Sequence, residues 1–275
     1  MTSMYTETKQ LRNGVDMPRF GLGVYKMTDP EKTVKAITFA LKNGYRAIDT
    51  AAVYENERET GEAIRAAGIN RSELFITSKV WNTDQGYDQT LRAFETSLKK
   101  LDLDYLDLYL THWPVPETYV DTYRAIERLY EEKLIRVPGV SNHHVRHLDE
   151  LKLTANVQPM VNQVELHPLL TQIPLRDYCL DNGIAITSWS PLARGQLLEN
   201  TVLNEIGRRH GKTAAQVIIR WHLQHDLIVI PKSITPERIL ENSQIGDFRL
   251  TDEEMTAIDG LNRNERTGTD PDSLG

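Results

Sequence analysis

The chain has 275 residues, 40% of them hydrophobic and 26% charged, with a formal net charge of −7. That is the make-up of an ordinary folded domain, and the acidic balance excludes a broad nucleic-acid surface as its main role. One cysteine, Cys179, excludes an internal disulfide framework and a cysteine-based metal cluster, and fits a reducing, cytoplasmic setting. The opening "MTSMYTETKQLRNG" has no apolar core of the kind a secretory signal needs. No window approaches 18 consecutive apolar residues, so no membrane partner is expected.

Along the chain, "KQLRNGVDMP" places Asn13-Gly14 between two β-like arms, which predicts a hairpin able to plug the bottom of a barrel. Short apolar runs then alternate with helical patterns. "FGLGVY" (20–25) precedes "PEKTVKAITFALKNG", whose Val34, Ile37, Ala40 and Leu41 share one helical face. "YRAIDT" precedes a charged helix ending near "AAGI". "LFITSKV" (74–80) precedes "YDQTLRAFETSLKKL", and "YLDLYLTHW" (105–113) precedes "TYRAIERLYEEK". "IRVPGVSN" (135–142), "PMVNQVEL" (159–166), "IAITSWSPL" (184–192) and "LIVIPKS" (227–233) each lead to a further helical pattern. An extra helix is expected over "TAAQVIIRWHLQ" (213–224), and the tail "NERTGTDPDSLG" reads as irregular.

Eight βα units with continuously apolar strands predict an α/β fold, a (β/α)₈ TIM barrel with an N-terminal β-hairpin and extra helices, forming one domain over residues 1–275. A doubly wound sheet would want a Gly-rich turn after its first strand. "GLGVYK" has Lys26 where the third glycine belongs.

Chemistry in such a barrel gathers at the C-terminal ends of the strands. The polar residues there are Asp49, Lys79, His112, Ser141, Asn142, Gln163, Ser190 and Lys232. Successive intervals from Asp49 to Asn142 are 30, 33 and 30 residues. One βα unit takes about 30 residues, so these groups are expected at equivalent heights around one mouth. Singly, Asp49 also reads as a helix cap, Lys79 as a solvated charge and His112 as a packing histidine. Together they suit carbonyl reduction. Tyr54, five residues past Asp49, would give a proton to a carbonyl oxygen. Lys79 would favour its phenolate, Asp49 would hold Lys79, and His112 would orient the carbonyl.

No side chain supplies hydride, so a nicotinamide is implied. Ser141, Asn142 and Gln163 offer groups for its carboxamide, and Trp189 offers an indole face for its ring. "SPLARG" (190–195) would cradle a pyrophosphate. Lys232, Ser233 and Arg238 open a helix where an extra ribose phosphate would sit, hence NADPH over NADH.

In "YRAIDTAAVYENE", "LFITSKVW", "DLYLTHWP", "GVSN", "VNQVELHP", "SWSPLARG" and "IPKSITPERILEN" the sequence resembles the aldo-keto reductase family. The resemblance implies a (β/α)₈ barrel that reduces aldehydes and ketones with NADPH. It implies a catalytic set of Asp49, Tyr54, Lys79 and His112. It implies cofactor contacts from Ser141, Asn142, Gln163, Trp189, Ser190, Leu192, Lys232, Ser233, Arg238, Glu241 and Asn242, and substrate walls from Tyr25, Trp81 and Trp113. The chain looks like the prokaryotic glyoxal, methylglyoxal and 2,5-diketo-D-gluconate reductase branch. That implies a small carbonyl partner and a monomer or weak dimer. Nine residues, Val115 to Tyr123, separate "HWP" from the next helical pattern, so an open pocket is expected. Pro138 departs from the family pattern, and a bulge or lost hydrogen bond beside Ser141 and Asn142 is expected.

Other features read as structural. His143, His144 and His147 in "HHVRH" are expected to face solvent without a third metal ligand. His167 shapes a loop, Cys179 packs a helix, and Trp221 is core. No metal is expected. The competing function is a non-catalytic NADPH-binding sensor or regulator, which loss of any of the four catalytic positions would favour. A barrel hydrolase or isomerase would need a second strand-end carboxylate beside Asp49, and none is apparent.

Overall fold

The computed structural model describes residues 7–274. Residues 1–6, the start of the segment read as lacking a signal core, and Gly275 lie outside the described residues. Strands β1 (Thr8–Gln10) and β2 (Asp16–Pro18) form the hairpin around Asn13-Gly14. Eight parallel strands follow: β3 (Leu22–Gly23), β4 (Ala47–Asp49), β5 (Phe75–Val80), β6 (Leu106–Thr111), β7 (Ile135–Ser141), β8 (Val161–Glu165), β9 (Ala185–Trp189) and β10 (Ile228–Val229). They pair in chain order. Bridges Phe20↔Val229 and Gly23↔Lys232 join the first to the last and close the barrel. Closure needs Gly23, where a Cβ would stand 2.9 Å from the Ile230 carbonyl oxygen.

Helices α1 (Pro30–Lys42), α2 (Glu57–Ala67), α3 (Tyr87–Leu101), α4 (Tyr119–Glu131), α5 (Val145–Thr154) and α6 (Ile173–Asp181) surround the sheet. So do α7 (Thr201–His210), the extra α8 (Ala214–Gln224), α9 (Pro236–Ser243) and α10 (Asp252–Asp259). The last was not foreseen, although Thr251 and Glu254 form a capping box at its start.

Strand alternation explains where the polar residues fall. Side chains two apart share a face. Ala47, Phe75, Leu108, Leu110, Val137, Val161, Ala185 and Ile228 fill the lower interior, sealed from below by Leu11 and Met17 of the hairpin. The same parity carries the chain upward to Asp49, Lys79, His112, Ser141, Gln163, Trp189 and Lys232. The outward parity, including Ile48, Ile76, Tyr109, Val140, Ile186 and Val229, packs the larger core beneath the helices.

The strand-end groups converge on one mouth as expected, and the bulge expected at Pro138 is absent. The strand-end groups do not all share a rung: Asp49 pairs with Thr77 and Lys79 with Leu110. Each step from Asp49 to Lys79 to His112 climbs two residues. A tilted, sheared barrel requires such a climb to stay at one mouth. Pro138 makes no bulge, since Leu108↔Val137, Tyr109↔Pro138 and Leu110↔Gly139 run one to one. Its carbonyl accepts from the Met160 amide at 3.0 Å, so its nitrogen also faces β8. The β7–β8 ladder starts just above it, at Gly139↔Val161. The donor that proline lacks is the expected lost hydrogen bond, and Arg12 donates to the Gln158 and Pro159 carbonyls there instead.

Candidate active site

Five elements deliver the central groups. Lys79, fully buried on β5, donates to Asp49 Oδ1 at 2.6 Å and to the Thr50 carbonyl at 2.8 Å. It reaches the Tyr54 hydroxyl at 3.4 Å, with Nζ 4.9 Å from the Tyr54 ring centre. Gln163 donates its amide to Asp49 Oδ2 at 2.7 Å. Both carboxylate oxygens are therefore occupied inside the barrel, and Asp49 is not a helix cap.

Tyr54 closes a short 3₁₀ turn, Ala52–Tyr54, past the end of β4. Its ring lies 5.0 Å from that of Tyr25 and edge-on to His112 at 5.8 Å. An ammonium has donors only, so Lys79 must donate to the Tyr54 oxygen, and the phenol's own proton is left to point elsewhere. Burial raises the Tyr54 phenol well above its ordinary pKa, and Asp49 and Tyr25 add to the rise. The expected lowering by Lys79 does not prevail, because desolvation is larger and the ammonium is already committed to Asp49. Burial lowers His112 well below the ordinary imidazole range, and Lys79 adds to the effect. That ring is neutral, and its Nδ1 is buried without a partner among the described residues.

Trp81 meets His112 edge-on at 5.2 Å, and Trp113 stacks near it at 6.5 Å. The following helix α4 begins at Tyr119, so the connection after Pro114 is Val115–Thr118, shorter than the expected nine residues.

The groups expected around a carboxamide form one chain of bonds. Ser141 Oγ donates to the Gln163 carbonyl at 2.7 Å. Asn142 donates to the His112 carbonyl at 2.9 Å and accepts from Trp189 Nε1 at 2.9 Å. Asn142 and Ser190 have left-handed φ of +62° and +49°, a conformation costly for residues with a side chain and common at binding sites. Leu192, Ala193 and Arg194 continue the turn after Ser190.

At α9, Thr235 provides no side-chain cap, so the first amides of the helix lack a side-chain partner. Ser233 folds over Thr235 through 3.2 and 3.3 Å contacts. Lys232 and Arg238 are exposed and, among the described residues, form no ion pair. Glu241 accepts from Thr213 at 2.9 Å, and Asn242 is buried beside it. Unpaired cations at an uncapped helix start suit an anionic group, so these residues fit the phosphate end of a dinucleotide.

Sequence reasoning missed several residues. Asn56 pins the Tyr54 turn, accepting from Thr50 at 2.8 Å and donating to the Val24 and Met27 carbonyls at 2.9 and 3.2 Å. It lies inside "YRAIDTAAVYENE", so its position was a usable signal. Glu165 is a second carboxylate at a strand end, contrary to expectation. It is spent on His167 at 3.0 Å and on Thr267 and Gly268 of the tail. Gly268 crosses the edge of Trp189, where a Cβ would stand 2.5 Å from Cη2. No sequence signal marked that crossing.

The histidine cluster also differs from expectation. His143 and His147 are buried, not solvent-facing. His143 Nδ1 bonds the Ser141 carbonyl at 2.9 Å, and His147 Nδ1 accepts from the His144 amide at 3.0 Å. His144 does meet two further candidate ligands, Asp270 and Asp272, but Arg266 and Arg146 already pair with those two acids. His167, Cys179 and Trp221 are structural, as expected, and fully buried.

The Aldo/keto reductase family model matches residues 19–263. A glyoxal reductase of Bacillus subtilis is 56% identical over 274 residues, covering 100% of this chain and 99% of that protein. The methylglyoxal reductase DkgA of Salmonella typhimurium is 47% identical over 270 residues, 97% of each chain. Among solved structures, a mutant of Gox0644 in complex with NADPH superposes with a TM-score of 0.94 at 39% identity, covering 100% of both chains. MGS-M4, an aldo-keto reductase from a deep-sea metagenome library, gives 0.94 at 46% identity, covering 96% of this chain and 98% of that one.

Proposed function

Because this chain belongs to the aldo-keto reductase family, we propose that it reduces small aldehydes and ketones to alcohols with NADPH, Tyr54 being the proton donor. The substrates proposed are methylglyoxal-type dicarbonyls and keto sugars. The similarity to a glyoxal reductase and a methylglyoxal reductase supports that class. So does the short Val115–Thr118 connection, which leaves room for varied small carbonyls.

The observation that carries the reading is the Asp49–Lys79–Tyr54 chain, 2.6 Å and then 3.4 Å. Lys79 donates to the phenol oxygen, so the phenol proton is free for a carbonyl oxygen above it. As that proton leaves, the adjacent ammonium stabilises the forming phenolate. His112 is neutral and orients the carbonyl through one N–H. With Nδ1 buried and partnerless, we assign that role to Nε2. Tyr25, Trp81 and Trp113 wall the mouth.

When bound, NADPH supplies the hydride. Ser141, Asn142, Gln163 and Trp189 would hold its nicotinamide end. Ser190 and Leu192 would hold the diphosphate, and Lys232, Ser233, Arg238, Glu241 and Asn242 the adenosine end. The complete four-residue set weighs against a non-catalytic sensor. We further infer a single domain over residues 1–275, acting as a monomer or weak dimer. NADPH consumption on adding methylglyoxal tests the reading. Turnover is expected, and its absence across a panel of small carbonyls contradicts it.

A further inference from the structure

Glu57, the first residue of α2, lies three positions after Tyr54 and is 1% exposed. Its Oε1 accepts from Ser78 Oγ at 2.6 Å. Ser78 precedes Lys79 on β5, so alternation sends Lys79 into the barrel and Ser78 toward the helices. The Glu57 carboxylate therefore sits directly behind the strand that carries the ammonium. Its Oε2 is buried without a hydrogen bond among the described residues. The nearest cation, Lys100 Nζ on α3, is 3.8 Å away and 40% exposed. A buried, half-satisfied carboxylate is costly, although the start of α2 and Lys100 both favour its charge.

We propose that Glu57 is a positioning residue of the carbonyl-reducing site, acting through Lys79: its charge behind β5 keeps the ammonium protonated and fixes the upper pH at which the site works. This rests on the reading of Tyr54 as the acid. Lys79 is faced by Asp49 from β4, Tyr54 from the following turn, His112 from the end of β6, and Glu57 from behind. Glu57 is faced by Ser78, by Lys100, and from β6 by the buried Tyr109 hydroxyl, which burial and then Glu57 hold protonated. Asp49 divides its oxygens between Lys79 and Gln163, so a second negative charge matters. Burial draws Lys79 below the ordinary lysine range. Asp49 opposes that most, and Glu57 acts in the same sense.

The test is the pH dependence of kcat for NADPH-driven methylglyoxal reduction. Glu57→Gln keeps the size and an oxygen for Ser78 but loses the charge. Its upper pH limb should move down by roughly half to one unit, with NADPH affinity unchanged. Glu57→Asp keeps the charge and should keep the parent limb. An unmoved limb in Glu57→Gln, or equal movement in both variants, overturns the proposal. If Glu57→Gln does not fold, Lys100→Met, on the half-exposed side, should move the limb up, and no movement overturns the proposal. Tyr54→Phe run alongside separates the two readings. Turnover at the parent rate removes the Tyr54 reading and this one with it. An inactive Tyr54→Phe beside an unmoved Glu57→Gln limb removes this one alone.

Discussion

Lys79 and Asp49 form an ion pair at 2.6 Å with side-chain exposures of 0% and 7%. At that depth neither charge tolerates loss of the other, because the survivor stays desolvated and unpaired. Asp49→Asn is expected to lower stability by about 3–5 kcal/mol and to cut kcat sharply. Urea unfolding and steady-state rates check both, and a variant as stable as the parent contradicts the pairing.

Arg238→Ala should weaken NADPH by roughly tenfold or more and leave NADH nearly unchanged. The reason is the uncapped start of α9, where Lys232 and Arg238 stand without ion-pair partners among the described residues. Binding titrations with both cofactors decide it. Equal losses reject a phosphate role.

Gly268→Ala should weaken NADPH binding severalfold while leaving the melting temperature close to the parent value. The added Cβ would meet Trp189 Cη2 at 2.5 Å and push the indole, which is tied through Nε1 to Asn142. Unchanged affinity and unchanged tryptophan fluorescence would show that the tail yields instead.

Acid should loosen the protein beside Asn142. Burial drops His143 to about 3 from 6.5, so the folded state keeps it neutral while the unfolded chain protonates first. Its stabilising contribution is complete above pH 6.5 and declines as pH falls from 6.5 toward 3. At pH 5 the loss from this residue is roughly 2 kcal/mol. Denaturant midpoints at pH 7 and 5 measure it, and His143→Gln should shrink the difference by about that amount, His147 and His222 supplying the rest.

The barrel and its mouth were legible because both follow from periodicity. Eight apolar runs at a regular spacing imply the fold, and parity along each strand implies that Asp49, Lys79 and His112 face inward. Contacts made across long sequence distances were not legible. Shear set the two-residue climb between Asp49 and Lys79, and no local pattern encodes shear. The tail reaches Glu165 across 102 residues, and nothing near Gly268 announces it. Pro138 misled only in the bulge: one-to-one pairing with β6 does not use its nitrogen, which faces β8, where Arg12 serves the carbonyls instead. The "HHVRH" histidines misled because polarity suggested solvent, whereas a backbone carbonyl and a helix cap absorb His143 and His147.

Tyr54→Phe tests the central claim most directly. It keeps the ring against Tyr25 and His112 and removes only the hydroxyl that Lys79 reaches at 3.4 Å. With methylglyoxal as substrate, kcat should fall by roughly 10²–10⁴-fold, while NADPH binds as to the parent. A Tyr54→Phe protein that consumes NADPH at the parent rate would contradict the account.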